Sequence, residues 1–216
     1  MSEIHSSDYH DYVIKDGKFI GEFEQMYRQV PDPWHGVEKV GAFKNDLLLG
    51  AVNHVGSEVK RAWDVGCGLG ALTGRLHHAL PWAEWSASDV SPTAVERAAC
   101  AYPRVRFFVH DLGRPDPLPF EPGTLDLITM AEVMWYVLPH LSDIFGLLHR
   151  LLRPGGHLIV LQYFLTPEEQ QYGREIVASP GDLLRFVRQA GFEIRQEVYV
   201  SAQPPQDLLL WAVKAV

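Results

Sequence analysis

The sequence predicts one α/β domain built on a mostly parallel sheet, and three observations carry that reading. Short apolar runs alternate with amphipathic helical stretches along the 216 residues, which is the signature of strand–helix–strand units. The stretch Arg61 to Thr73, RAWDVGCGLGALT, passes from an apolar run into three glycines spaced by one residue, Gly66, Gly68 and Gly70, and then into a helical pattern. The run from Thr124 to Ala131 is nearly continuous in apolar residues after Asp126, as a strand buried on both faces should be. The length suits one such domain with a substantial core rather than two.

Composition narrows the partners. The net charge is −8 with histidine neutral and there is no basic run, so binding of nucleic acid through phosphate is not expected. A small uncharged or amine-bearing molecule is compatible with that balance. Cys67 lies in the glycine turn and Cys100 at a helix end, neither with a Cys-x-x-Cys partner. No metal site is readable, and two reduced thiols are expected. The opening MSEIHSSDYHDYV is polar and acidic rather than a signal peptide, and no apolar run reaches membrane-spanning length. The expectation is a soluble, cytoplasmic protein with no membrane partner.

The elements follow in order. Lys15-Asp16-Gly17-Lys18 predicts a turn. Phe19, Phe23, Met26, Tyr27 and Val30 recur at three and four residues, predicting a helix from Phe19 to Val30 that Pro31-Asp32-Pro33 ends. A second helix is expected from about Val37 to Val55, with Val40, Phe43, Leu47, Leu48 and Ala51 on one face. Residues 1–56 are thus expected to form an N-terminal helical segment, ahead of a core from 57 to 216. The first core strand ends at Val65 and the helix after the glycines runs from Ala71 to Leu80. Trp82 to Ala87 reads as the second strand, ending at Asp89; Ser91-Pro92 then caps a helix to about Ala101. Val105 to Val109 is the third strand and Thr124 to Ala131 the fourth, with a proline-rich loop from Arg114 to Gly123 between them. A helix from Leu138 to Leu152 leads through Arg153-Pro154-Gly155-Gly156-His157 into a fifth strand, Leu158 to Tyr163. Ser179 to Ala190 is a further helix, and Phe192 to Val200 and Leu208 to Val213 are the last two strands.

The chemistry centres on the glycine turn. Gly66-x-Gly68-x-x-Ala71 also satisfies a dinucleotide fingerprint, but Asp64 stands two residues before the first glycine. A pyrophosphate is poorly served by a nearby carboxylate, whereas a ligand carrying a cation is well served. Asp89 closes the second strand 19 residues beyond Gly70, where the acid of a doubly wound fold holds the vicinal hydroxyls of a ribose.

On Asp64, Gly66, Gly68 and Gly70, the sequence resembles the class I S-adenosylmethionine-dependent methyltransferases, whose first motif reads acid-x-Gly-x-Gly-x-Gly. LLRPGGHLIV at 151–160 is similar to a late signature of the same family. The resemblance covers about residues 60–165 and implies a Rossmann-like, seven-stranded, mostly parallel sheet with an antiparallel last strand and helices on both faces, with residues 1–56 as an N-terminal helical lid or cap. It implies S-adenosyl-L-methionine as cofactor, held at Asp64, Gly66, Cys67, Gly68, Gly70, Asp89, Val90 and Ala131. It places the adenine against Asp111 and the backbone of Leu112. A narrower likeness, through PDPW at 31–34, Phe43-Lys44, AEVMWY at 131–136 and the end QDLLLWAVKA, is to nodulation-type N-methyltransferases acting on a chitooligosaccharide amine, and to methyltransferases of sugar and polysaccharide clusters. The long opening segment departs from that narrower family. In that reading Trp34 covers the methionine end of the cofactor and Lys44 pairs with its carboxylate.

Methyl transfer from a sulfonium is an in-line displacement governed by placement. An amine acceptor must only be neutral at attack; a hydroxyl needs a base. Glu132, delivered at the carboxyl end of the fourth strand, is the expected base or amine-orienting carboxylate, and His110 a weaker base. Tyr12, Trp135 and Tyr136 are the expected acceptor walls. The expected partner is a small-molecule acceptor, an amino sugar or glycan precursor, and the protein is a monomer or homodimer. The competing readings are a nicotinamide-dependent oxidoreductase, for which no Tyr-x-x-x-Lys is present, and a non-catalytic partner subunit of the same fold.

Overall fold

The apolar runs pair as adjacent strands, and the helices between them cover both faces of the sheet they make. The computed structural model describes residues 9–215. Its elements are β1 (Ile14–Lys15), β2 (Lys18–Phe19), α1 (Phe23–Gln29), α2 (Phe43–Val55), β3 (Arg61–Val65), α3 (Ala71–Ala79), β4 (Glu84–Asp89), α4 (Pro92–Ala101), β5 (Arg106–Val109), β6 (Leu125–Ala131), α5 (Leu141–Leu151), β7 (Leu152–Phe164), α6 (Pro180–Gln189), β8 (Phe192–Tyr199) and β9 (Gln206–Lys214). The main sheet has seven strands in the order β5-β4-β3-β6-β7-β9-β8. The first five are parallel, and β9 runs antiparallel to both β7 and β8. The fold is Rossmann-like with an antiparallel end, as expected. The strand order reverses between β3 and β6, and the crevice at the carboxyl ends there is where ligands bind in open α/β sheets.

The period-two alternation of β3 divides the core. Trp63 and Val65 pack with Ile128, Met130 and the inward faces of α5 and α6. Ala62 packs on the opposite side with Leu127, Ile159 and Leu161 beneath α2 and α3. Trp63 is fully buried and its indole N–H donates to Ser88 Oγ at 3.1 Å, so the large apolar ring carries no unpaired donor. No helix among the described residues is long and apolar enough to cross a membrane.

Several boundaries differ from expectation, each for a local reason. The helix expected from Phe19 begins at Phe23. Asp16 and Gly17 both take positive φ, 50° and 71°, and fold residues 14–19 into the β1–β2 hairpin, leaving Phe19 and Ile20 exposed. The helix expected from Val37 begins at Phe43, because Asp32 accepts from the backbone N–H groups of Gly36, Val37 and Glu38 and holds that stretch in turns. Phe43 is exposed, and the buried side of α2 is Leu48, Val52 and Val55. β4 starts at Glu84 rather than Trp82, which is exposed. β7 extends back through Arg153-Pro154-Gly155-Gly156, the expected turn, with an irregular register at its start.

Candidate functional site

The glycine turn between β3 and α3 is held from both sides. Gly66, Gly68 and Gly70 have φ of 70°, 52° and 76°, the left-handed region in which a side chain is strained. A Cβ on Gly66 would lie 2.3 Å from Val133, and one on Gly68 would lie 2.8 Å from the Tyr27 hydroxyl. The N–H groups of Gly66 and Cys67 donate to Ser88 O, and that of Gly68 donates to Asp89 Oδ2 at 2.9 Å. Asp89 Oδ1 accepts from the N–H of Ser91 at 3.0 Å. Each oxygen therefore keeps acceptor capacity for a further hydroxyl. Burial pushes the Asp89 carboxyl up, against the three backbone N–H groups that favour its charge. α3 begins with no side-chain cap, so its first N–H groups face the turn.

Asp64 lies behind the turn rather than in it. It is 3 % exposed, and its two oxygens accept from Thr73 Oγ1 at 2.5 Å and Thr129 Oγ1 at 2.6 Å. Burial raises its carboxyl to about 6, with the Thr129 and Thr73 hydroxyls opposing. Thr129 is the register partner of Asp64 across β3 and β6, and Thr73 lies in the first turn of α3. The acid ties strand, neighbouring strand and helix together. The half-buried Cys67 has its thiol pushed well up by burial, so it is neutral.

Two further sequence-selected groups flank this crevice. Val90, at the end of β4, is partly exposed. Asp111 Oδ1 accepts from Gly113 N at 2.9 Å while Oδ2 pairs with Arg114 at 3.3 Å, and Leu112 is half-buried on the core. His110 is buried, stacks edge-on to Trp63 and packs on Phe108, and its Nε2 has no partner among the described residues. Burial lowers its basicity. No hydrogen bond or ring contact joins it to Glu132.

Glu132 follows Ala131 at the end of β6 and takes φ 60°. Its N–H donates to Leu161 O. Lys44 Nζ donates to its Oε1 at 2.5 Å, while Tyr163 N and Gln162 Nε2 donate to Oε2 at 3.0 and 3.2 Å. Lys44 also reaches Asp207 Oδ1 at 3.3 Å. The sequence expectation paired Lys44 with a cofactor carboxylate; the structure pairs it with these two acids. Burial acts to lower the Lys44 ammonium, but Glu132 and Asp207 raise it overall.

The N-terminal residues roof the crevice with aromatic rings. Tyr27 is 3 % exposed over Gly68 and accepts a hydrogen bond from Trp34 Nε1 at 2.9 Å. The Trp34 ring lies 5.4 Å from that of Tyr136, which meets Phe23 edge-on at 5.3 Å. The other two expected acceptor walls lie beside these groups, Tyr12 in the same buried cluster as Tyr27, Trp34 and Tyr136, and Trp135 against Tyr163 of β7. Tyr12 is 5 % exposed and donates to Gln29. Trp135 donates to Tyr163 O at 2.9 Å and packs on Phe164. α1 is fastened to α4 by Glu24, which accepts from Ser91 Oγ, Thr93 N and Thr93 Oγ1, and by Arg97, which donates to Tyr27 O and Pro31 O.

Sequence reasoning missed Thr73, Thr129, Tyr27, Gln162 and Asp207. Thr129 becomes visible only with the β3–β6 register. Asp207 becomes visible only when β9 is threaded beside β7.

Comparison with known proteins places this geometry. Residues 62–156 match the family model described as a methyltransferase domain. The chain is 31 % identical over 166 residues to trans-aconitate 2-methyltransferase of Escherichia fergusonii, covering 68 % of this chain and 64 % of that protein. It is 31 % identical over 141 residues to highly reducing polyketide synthase 2 of Gibberella zeae, covering 57 % of this chain and 5 % of that protein. The chain thus spans less than two thirds of the length of these curated relatives. Among solved structures, N-methyltransferase NodS from Bradyrhizobium japonicum in complex with S-adenosyl-L-homocysteine superposes with a TM-score of 0.70 at 19 % identity, covering 88 % of this chain and 97 % of that one.

Proposed function

We propose that this chain, a member of the class I S-adenosylmethionine-dependent methyltransferases, transfers a methyl group to a nitrogen or oxygen of a small molecule, an amino sugar or glycan precursor. The observation that carries the reading is the glycine turn braced by Asp89 at the point where the strand order reverses. A turn without side chains, an uncapped helix start and a carboxylate with spare acceptor capacity suit the nucleoside and amino-acid ends of S-adenosyl-L-methionine. When bound, the cofactor supplies an electrophilic methyl on a sulfonium.

The remaining work falls to this chain's residues. Asp89 accepts from the ribose hydroxyls, with Val90, Asp111 and Leu112 along the adenine, and Asp64 contributes negative charge from behind the turn. Tyr27, Trp34 and Tyr136 exclude water from the methionine end, and residues 9–56 serve as the cover; residues 1–8 of the expected lid lie outside the described residues. Glu132 orients the acceptor and receives its proton, so that nitrogen or oxygen presents a lone pair along the line of the leaving sulfur. The two carboxylates beside a single lysine favour an acceptor bearing an amine. That argument agrees with the likeness to NodS, an N-methyltransferase.

A carboxylic-acid acceptor is the second reading, supported by the name of the trans-aconitate relative. Incubating the protein with methyl-labelled cofactor and separate samples of glucosamine, partially deacetylated chitooligosaccharide and trans-aconitate tests both. Label on the amino sugars supports the first reading. Label on trans-aconitate alone replaces it with the second.

A further inference from the structure

Lys44 belongs to the first turn of α2, in the N-terminal segment, yet its ammonium is seated among groups of the sheet. It lies 2.5 Å from Glu132 Oε1, 3.3 Å from Asp207 Oδ1 and 5.6 Å from the centroid of the Tyr163 ring. Asp207 is the register partner of Tyr163 across β7 and β9, and Glu132 immediately follows β6. Without Lys44 the carboxyl end of the sheet would hold two carboxylates here with no cation between them. The second oxygen of Glu132 is fixed from below. Gln162, fully buried, donates to it and accepts from Met134 N at 3.1 Å with its own oxygen.

We propose that Lys44 is a positioning residue through which the N-terminal segment sets the charge and the aim of Glu132. The proposal rests on the reading of Glu132 as the acceptor-facing carboxylate. The titratable groups facing Glu132 are Lys44 from α2, Asp207 from β9, Tyr163 from β7 and Tyr136 from the turn after β6. Lys44 is the cation among them. With the first turn of α2 seated, three donors favour the ionised form of Glu132 against the burial that pushes its carboxyl up. With that turn withdrawn, Glu132 keeps its neutral donors Gln162 and Tyr163 N but faces Asp207 with no cation between them, and repulsion between like charges favours its protonated form. The covering segment therefore contributes to the acceptor site a charge that the sheet does not supply.

The test is a carbon-13 NMR titration of the full chain labelled at the glutamate carboxyls, with the Glu132 signal assigned from Glu132→Gln. An opposite charge at this range shifts a carboxylate by about one unit or more. Lys44→Met should raise the Glu132 midpoint by about that amount, and Lys44→Arg should bring it back toward the original value. Asp207→Asn, which leaves Lys44 in place, should move the midpoint down. A general loosening of the crevice would move Lys44→Met and Asp207→Asn in the same direction. That result, or a midpoint unmoved by Lys44→Met, overturns the proposal. Calorimetry with S-adenosylhomocysteine on the unsubstituted protein keeps the two readings apart. Failure to bind would count against the methyltransferase reading, while the titration still reports on the lysine–carboxylate pair.

Discussion

The backbone N–H of Gly68 donates to Asp89 Oδ2 at 2.9 Å, so the acid that ends β4 braces the glycine turn that opens α3. One side chain thus ties the turn after β3 to the end of β4. Asp89→Ala removes both the brace and the hydroxyl acceptor. Calorimetric affinity for S-adenosylhomocysteine should fall by about 2–4 kcal/mol, the range for charged hydrogen bonds lost together. Unchanged affinity would remove Asp89 from the site.

Asp64 makes stability fall as the solution becomes less acidic. Its carboxyl titrates near 3.8 when unperturbed and is pushed up to about 6 by burial in the folded chain. Between those values the native state holds a proton that the unfolded chain has released, so rising pH draws the equilibrium toward unfolding. Asp64→Asn should flatten this dependence. The stability difference between variant and parent should shift in favour of the variant by an amount on the order of 3 kcal/mol from pH 4 to 7. Urea unfolding at several pH values measures it; parallel curves would contradict the assignment.

Glu24 works in the opposite sense. Burial opposes its ionisation, but hydrogen bonds from Ser91, Thr93 and Arg28 hold its carboxyl down at about 2. Its contribution is present above the ordinary carboxylate range and is lost as pH falls toward 2. Glu24→Gln should weaken the fastening of α1 to α4 by about 1 kcal/mol, allowing for its partial exposure. Hydrogen exchange should quicken over Phe23–Gln29 while β3 and β6 stay protected. Equal quickening everywhere would mean that α1 is not held separately.

Gly66→Ala combines a strained φ of 70° with a Cβ only 2.3 Å from Val133. The cost should be about 2–4 kcal/mol. Adding Val133→Ala should recover the steric part but not the backbone part. Recovery of parental stability in the double variant would show that the φ imposes no strain.

The parallel core was legible because its strands and helices repeat their own periods. Ala62, Trp63 and Val65 on β3, and Ile128 and Met130 on β6, announce burial without help from the rest of the chain. The glycine turn was equally local, since its spacing along the sequence is its spacing around the turn, and Asp89 was legible as the acid that ends the next strand. What escaped depends on pairing between distant segments. Asp64 meets Thr129 through sheet register, and Lys44 meets Glu132 across 88 residues, which no local pattern encodes. The start of α2 was misplaced because the Asp32 carboxylate captures the N–H groups of residues 36–38 before a helix can. Periodicity carries no trace of that competition.

The most direct measurement is calorimetric titration of the purified protein with S-adenosylhomocysteine and, in parallel, NADH. Micromolar binding of S-adenosylhomocysteine and no heat from NADH are expected. Binding of NADH alone would contradict it, because a turn backed by the charge of Asp64 and braced by Asp89 would then be holding a pyrophosphate.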